Sequence, residues 1–194
     1  MPRSTRQLSL FGVEAVDPSP ADLAGLLAGP AELGRMGGTA RISVVVDHAW
    51  RVHVLIAEFA ARGLTATWAP ADQGRLTVRT AYATSLAALA AAWLDSGTRR
   101  PPEEFYLTGA RLRMWVAAAG VADPPGYVLP LGPTDEVGRA RIGAALAAVG
   151  LPAALVDTGS GETAYRITGR RSLARLAELV GPRPAPAPPE NWPG

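Results

Sequence analysis

Sliding the 194-residue sequence along itself brings three separated landmarks into one register. Gly63-Leu64 meets Gly150-Leu151, Arg79 meets Arg166, and Ser85-Leu86-Ala87-x-Leu89-Ala90 meets Ser172-Leu173-Ala174-x-Leu176-Ala177, every pair 87 positions apart. A match held over that span without a gap means one supersecondary unit used twice. Any fold for this chain must therefore be built from two similar halves.

Hydrophobic periodicity predicts the same order of elements in each half. The first has a helix over 22–33, a strand over 41–46, a helix over 51–62 with Val52, Leu55, Ile56 and Phe59 at 3/4 spacing, strands over 65–68 and 75–80, and a helix over 85–93. The second has a helix over 103–119, a strand over 127–131, a helix over 135–149, strands over 153–156 and 164–168, and a helix over 171–180. Gly63 and Gly150 stand just past their helices, where a left-handed residue closes a helix, and Ser85 and Ser172 stand where N-caps belong. The fold class is α+β: two tandem α-β-α-β-β-α half-domains, 21–97 and 98–181, joined through the linker-like 95–102. A sheet covered on one face by its own helices leaves an edge to bury, so the halves should pair about a pseudo-twofold axis. Residues 1–20 read as an extended arm, and 182–194 (PRPAPAPPENWPG) as a disordered, Pro-rich, solvated tail that adds nothing to a core.

Period-two alternation in the strands places Arg75, Thr77 and Arg79 on the face opposite Leu76 and Val78. Arg41 and Ser43 alternate in the same way with Ile42 and Val44, and Arg166 and Thr168 with Tyr165 and Ile167. Helices should cover the apolar face and leave a surface of Arg, Ser and Thr. Such a face is either an ordinary solvated one or a surface for phosphate backbones, where cationic contacts supply affinity and positioning. Composition does not choose between them. All 19 basic residues are arginine and none is lysine, which fits phosphate recognition but equally a GC-rich genome.

Several classes are excluded or left without support. Without cysteine there is no disulfide framework or thiolate metal site, and without lysine no P-loop. No secretory h-region or membrane-length apolar run is visible, so a cytoplasmic, nucleoid-associated protein is expected, with no membrane contact. His48 and His53, with Asp47 nearby, lack a third fixed metal ligand. Gly159-Ser160-Gly161 reads as a hairpin turn rather than a nucleophile elbow, and Trp50, Trp68, Trp93 and Trp115 as packing residues. No catalytic residue, metal site or cofactor is expected.

The duplicated order, with the ending Y-R-I-T-G-x-x-x-L-x-x-L-x-x-x-x-G from Tyr165 to Gly181, resembles the LAGLIDADG homing endonuclease fold over residues 20–181. The resemblance implies two motif helices packed at the pseudo-dimer axis, each ending in an acid that binds Mg²⁺ for phosphodiester cleavage. Those acids fall here on Gly37, in Leu33-Gly34-Arg35-Met36-Gly37-Gly38, and on Ala119, in Trp115-Val116-Ala117-Ala118-Ala119-Gly120. Neither side chain can ligate a metal, which argues against cleavage and leaves DNA binding, as in WhiA-like regulators whose domain has also lost cleavage. A divergent nuclease would need displaced acids such as Asp47, Glu103 or Glu104.

The arm carries a second resemblance. Gln7-Leu8-Ser9-Leu10-Phe11 is similar to the pentapeptide with which bacterial polymerases and repair proteins bind the DNA sliding clamp. The resemblance implies Gln7 at the rim of the clamp pocket, Leu10 and Phe11 on its apolar floor, and Leu8 and Ser9 setting an extended path. The other reading packs Leu8, Leu10 and Phe11 on the chain's own domain. The expectation is a monomeric accessory protein of replication or repair that binds the clamp through Gln7–Phe11. Double-stranded DNA would meet Arg41, Ser43, Arg75, Thr77, Arg79, Arg166 and Thr168.

Overall fold

A computed structural model describes residues 17–159 and 161–194; the peptide Gln7–Phe11 lies outside them. A 3-10 turn, Pro20–Leu23, opens the chain, capped by Ser19 and Asp22 in a reciprocal capping box, and leads into the short helix α1 (Ala24–Ala28). Gly29-Pro30 ends α1, because the residue before a proline is pushed out of the helical region. The hairpin β1 (Glu32–Met36) and β2 (Thr39–Val46) follows, then α2 (Ala49–Ala61), β3 (Ala66–Pro70), β4 (Leu76–Thr80) and α3 (Ala87–Trp93). A two-residue-by-two-residue hairpin, β5 (Leu94–Asp95) and β6 (Thr98–Arg99), joins the halves. The second half repeats the order as α4 (Gly109–Ala119), β7 (Val121–Asp123), β8 (Gly126–Pro130), α5 (Glu136–Ala148), β9 (Ala153–Asp157), β10 (Thr163–Thr168) and α6 (Arg170–Val180).

The fold is α+β. Its two four-stranded antiparallel sheets have matching orders, β1-β2-β4-β3 and β7-β8-β10-β9. The repeat holds at the level of register. Both bounds of α2 and of β3 recur 87 residues later in α5 and β9, and Thr67 faces Arg79 as Ala154 faces Arg166. Gly63 and Gly150 both take positive φ (71° and 81°), reversing the chain after α2 and α5 where an L side chain would be strained.

The halves meet along α1 and α4. A Cβ on Gly25 would stand 1.7 Å from the Arg111 carbonyl oxygen, and one on Gly29 would lie 2.7 Å from the Trp115 ring, so glycine is what lets the helices touch backbone to backbone. Leu23, Leu26, Leu27, Leu112, Trp115 and Val116 are buried in one core that also takes the inner faces of both sheets.

Several expectations need correcting. Each half contains a strand that the periodicity missed, β1 or β7, so the order is α-β-β-α-β-β-α. The first helix ends at Ala28 rather than 33, and the first long helix of the second half starts at Gly109 rather than 103. The reason is local: Gly37-Gly38 between Met36 and Thr39 makes a two-residue hairpin loop, and Gly37 (φ 59°) is one that needs glycine. Ser85 and Ser172 cap nothing. Ser85 lies inside a 3-10 turn, Thr84–Leu86, and Ser172 inside α6, whose N-cap is Gly169. Trp68 is 53% exposed on the edge strand β3, whereas Trp50, Trp93 and Trp115 are buried as expected.

The tail is the largest correction. Residues 182–194 pack as a strap on the second half, with Ala187 and Trp192 buried in the core. The Trp192 indole donates to the Gly181 carbonyl (3.2 Å) and Tyr127 donates to the Asn191 carbonyl (3.1 Å), while the Arg113 guanidinium lies 5.1 Å from the Trp192 ring centre. Proline density leaves the tail only a 3-10 turn, Pro189–Asn191, but does not stop one tryptophan from anchoring the chain.

Candidate nucleic-acid interface

On the first sheet, antiparallel pairing sorts the side chains into two faces. Ala40, Ile42, Val44, Val46 and Val78 point inward and are buried. The outer face is organised around β2 and β4: Ser43 pairs with Arg79 and Val45 with Thr77, while Arg79 is flanked on its other side by Thr67. Gly34 of β1 pairs with Arg41, whose guanidinium rests over the Tyr82 ring at 4.8 Å, a cation-π contact that holds it above the sheet. Arg75 is exposed at the entry to β4, its Nε reaching the Asp72 carbonyl at 3.5 Å. Among the described residues, Arg41, Arg75 and Arg79 form no ion pair. The structure thus brings Arg41, Ser43, Arg75, Thr77 and Arg79 to one face.

Arg166 and Thr168 lie elsewhere, on β10 of the second sheet. Arg166 is half-buried and paired with Asp123 of β7, Nη2 to Oδ2 at 3.1 Å, and its neighbours across the ladder are Val128 and Ala154. Its charge is neutralised where it sits. Thr168 is exposed at the end of β10 opposite Gly126.

Between the sheets, the C-terminal ends of α1 and α4 are both closed by arginines. From the N-terminus of α2, Arg51 donates through Nη1 to the carbonyls of Val116 and Ala117 (3.1 Å each) and through Nη2 to Gly120 (2.7 Å); its Nε bonds Asp47 (2.8 Å). At the end of β6, Arg99 donates to the carbonyls of Gly29 (2.8 Å), Ala31 and Pro133 (3.2 Å). Both guanidiniums donate to carbonyls at a helix end, Arg51 adding a second donor to Val116, which also accepts from the Gly120 N–H at 2.9 Å, and both sit at the negative end of a helix dipole. Burial lowers the Arg99 pKa to about 10, with Glu32 opposing, so it stays cationic at neutral pH. Burial raises the Asp47 carboxyl, but its bonds to His48 and Arg51 outweigh that and leave it below its ordinary value.

This arrangement relocates the expected acid positions. Gly37 belongs to the β1–β2 turn rather than to a helix end; the helix ends in question are Gly29 and Gly120. The displaced acids do not converge either. Asp47 reaches the C-terminal end of α4 through Arg51, whereas Glu103 and Glu104 precede its N-terminus, about 16 Å away along an 11-residue helix. Among the described residues no three His, Cys, Asp or Glu side chains are placed to hold a metal ion. His48 bonds Asp47 at 2.8 Å and His53 is exposed. Nor is any described helix long and apolar enough to cross a membrane.

A second ionic cluster ties the halves and was not visible in the sequence. Glu58 of α2 receives Arg62 (2.7 Å) from its own helix and Arg113 (2.8 Å) from α4, and Arg62 also pairs with Asp22 (3.0 Å). Burial pushes the Glu58 carboxyl up, but Arg113 and Arg62 together hold it below its usual range.

No protein-family model matches the chain, and no curated protein does. Solved structures do. The homing endonuclease I-WcaI bound to its DNA recognition sequence is similar with a TM-score of 0.64 at 12% identity, over 85% of this chain and 82% of that one. The N-terminal LAGLIDADG domain of DUF199/WhiA gives 0.60 at 13% identity over 84% and 82%, and full-length DUF199/WhiA from Thermatoga maritima gives 0.63 at 12% identity over 90% of this chain and 58% of that one. The family's name supplies a sequence signal that the periodicity passed over: α1 is entered by Leu23-Ala24-Gly25-Leu26, its first four letters. Continued along the chain, the two acidic letters fall on Ala28 and Pro30, and in α4, aligned on Gly120, on Ala117 and Ala119. Two matched sheets, backbone contact between α1 and α4, and these similarities together give the chain a LAGLIDADG-like fold with an internal pseudo-twofold repeat.

Proposed function

We propose that the chain is a non-catalytic, DNA-associated accessory protein of bacterial replication or repair, tethered to the sliding clamp by Gln7–Phe11 and touching duplex DNA with the Arg-lined outer face of its first sheet. The observation that carries the DNA contact is the set Arg41, Arg75 and Arg79, unpaired with any described acid, on the strand face of a fold shared with a DNA-bound homing endonuclease. Support for a non-catalytic role comes from Arg51 and Arg99, which occupy the motif-helix ends with positive charge where cleavage would need oxygen ligands for a cation. The clamp contact rests on the pentapeptide alone. Linking the two weak contacts in one chain raises the effective concentration of each for the other, so modest surfaces suffice. The internal pseudo-dimer makes a monomer sufficient.

Titrating a purified bacterial clamp with the full chain and with Gln7→Ala/Leu10→Ala/Phe11→Ala tests the tether. Loss of binding in the triple variant is the expected result, and equal affinity of the two proteins refutes it. The similarity to WhiA favours a second reading, a regulator that recognises one DNA sequence. Selection from random duplexes decides this: a recovered motif supports the regulator, and an unenriched pool supports the accessory role.

A further inference from the structure

The duplication allows the outer faces of the two sheets to be compared position by position, and they differ most in their arginines. Ser43 and Val128 are equivalent because each faces the central arginine of the neighbouring strand, Arg79 or Arg166. Two residues earlier on the same strands, Arg41 is replaced by Gly126. On β9 Ala154 stands for Thr67, and on β10 Ala164 stands for Thr77. The place of Arg75 is taken by Glu162. Only Arg79 keeps its identity, as Arg166, and that guanidinium is neutralised by Asp123 at 3.1 Å. Arg, Ser and Thr on the first face thus have Gly, Val, Ala and Glu as counterparts on the second, while Glu32 of the first has Val121 and Ala81 has Thr168.

From this contrast, and resting on the DNA contact proposed above, we infer that duplex DNA is held by the first half-domain alone. A polyanion gains from cations that are free to release its counterions and from hydroxyls that reach phosphate oxygens. Among the described residues the second face carries one arginine, Arg166, already paired with Asp123, and one strand hydroxyl, Thr168. Four strands about 4.8 Å apart make a contact roughly 15–20 Å wide, which spans about five base pairs at 3.4 Å each. The DNA partner is therefore a short stretch of duplex bound without two-fold character, and no second half-site is read. Three phosphate contacts, from Arg41, Arg75 and Arg79, give a slope of log affinity against log salt of about −2.7, or a roughly 40-fold loss between 50 and 200 mM salt.

The test measures binding of the full chain to mixed-sequence duplexes of 12 and 24 base pairs by fluorescence anisotropy across that salt range. Equal affinity per available site on both duplexes is expected. Arg79→Ala and Arg41→Ala should each weaken binding about tenfold and reduce the slope by about one, Arg79→Lys should restore the slope, and Arg166→Gln and Thr168→Ala should stay within twofold of wild type. Matching thermal melts for each variant keep loss of fold from passing as loss of contact. If Arg166→Gln or Thr168→Ala weakens binding as much as Arg79→Ala while the melts agree, or if the longer duplex binds more than tenfold tighter per site, the one-sided contact is wrong and DNA binding stands. If wild type binds neither duplex, or binds without salt dependence, the DNA contact itself fails.

Discussion

Arg51→Met isolates what the guanidinium at the end of α4 does. Methionine keeps most of the apolar stem of the buried side chain, so little packing is lost, but the carbonyl oxygens of Ala117 and Gly120 lose the Arg51 donor and that of Val116 is left with the Gly120 N–H alone. Val116, Ala117 and Gly120 are themselves buried, so water does not replace the lost bonds. A bond to a charged donor contributes about 1.5–3 kcal/mol, and removing one member of a buried charged set costs about 3–5 kcal/mol. Asp47 is half exposed and can be hydrated when its partner goes, which favours the lower end, about 3 kcal/mol. At 2–4 °C per kcal/mol for a chain of this size, the melting temperature should fall by about 10 °C. The comparison is Arg171→Met, an exposed arginine in the first turn of α6, where the change should stay within about 0.5 kcal/mol. Urea denaturation of the three proteins, followed by tryptophan fluorescence and circular dichroism, gives the difference. If Arg51→Met loses less than about 1 kcal/mol, or no more than Arg171→Met, the guanidinium is not a structural cap. The helix end would then be available for some other role.

Two further outcomes follow from the ionic cluster and the tail. The Glu58 carboxyl has its folded-state pKa below the ordinary 4.5, so its pairing stabilises the protein above that value and the contribution is lost as pH falls through the folded pKa; the stability gap between wild type and Glu58→Gln should shrink with acidification below about pH 4.5, and a gap constant from pH 7 to pH 3 contradicts the pairing. Trp192→Ala removes a buried indole, its bond to Gly181 and its contact with Arg113, and should cost about 3 kcal/mol in urea denaturation; a melting temperature within about 1 °C of wild type would mean that the strap is not part of the core.

How far the sequence could be read depended on the range of the interactions involved. The repeat was legible because α2, β3, α5 and β9 are regular, locally patterned segments whose copies keep one offset. The strand faces were legible for the same reason, since period two is a property of neighbours in the chain. β1 was lost because Leu23 to Leu33 is dense in helix-forming Ala and Leu, although Gly29-Pro30 and Gly37-Gly38 marked its two ends; β7 is only three residues long. Composition over the 13 tail residues points to solvent, yet a single one of them, Trp192, decides where they lie.

Arginine shows why position mattered more than number. Arg51, Arg62, Arg99 and Arg113 are occupied inside the molecule, bonded to helix-end carbonyls and to Glu58 or Asp22, some of them across 65 to 70 residues of chain that no local pattern spans. Arg166 is occupied by Asp123. An arginine-rich composition therefore says little about affinity for a polyanion, since a guanidinium already committed to carbonyls or carboxylates releases no counterion when DNA arrives. Among the described residues, the arginines on the outer strand faces without an ion pair are Arg41, Arg75 and Arg79, all in one half of a duplicated fold. Duplication gives two sheets of matching order; the difference in arginines between their outer faces, together with guanidiniums placed at both helix ends, leaves a scaffold whose symmetry lies in the backbone and not in its surface chemistry.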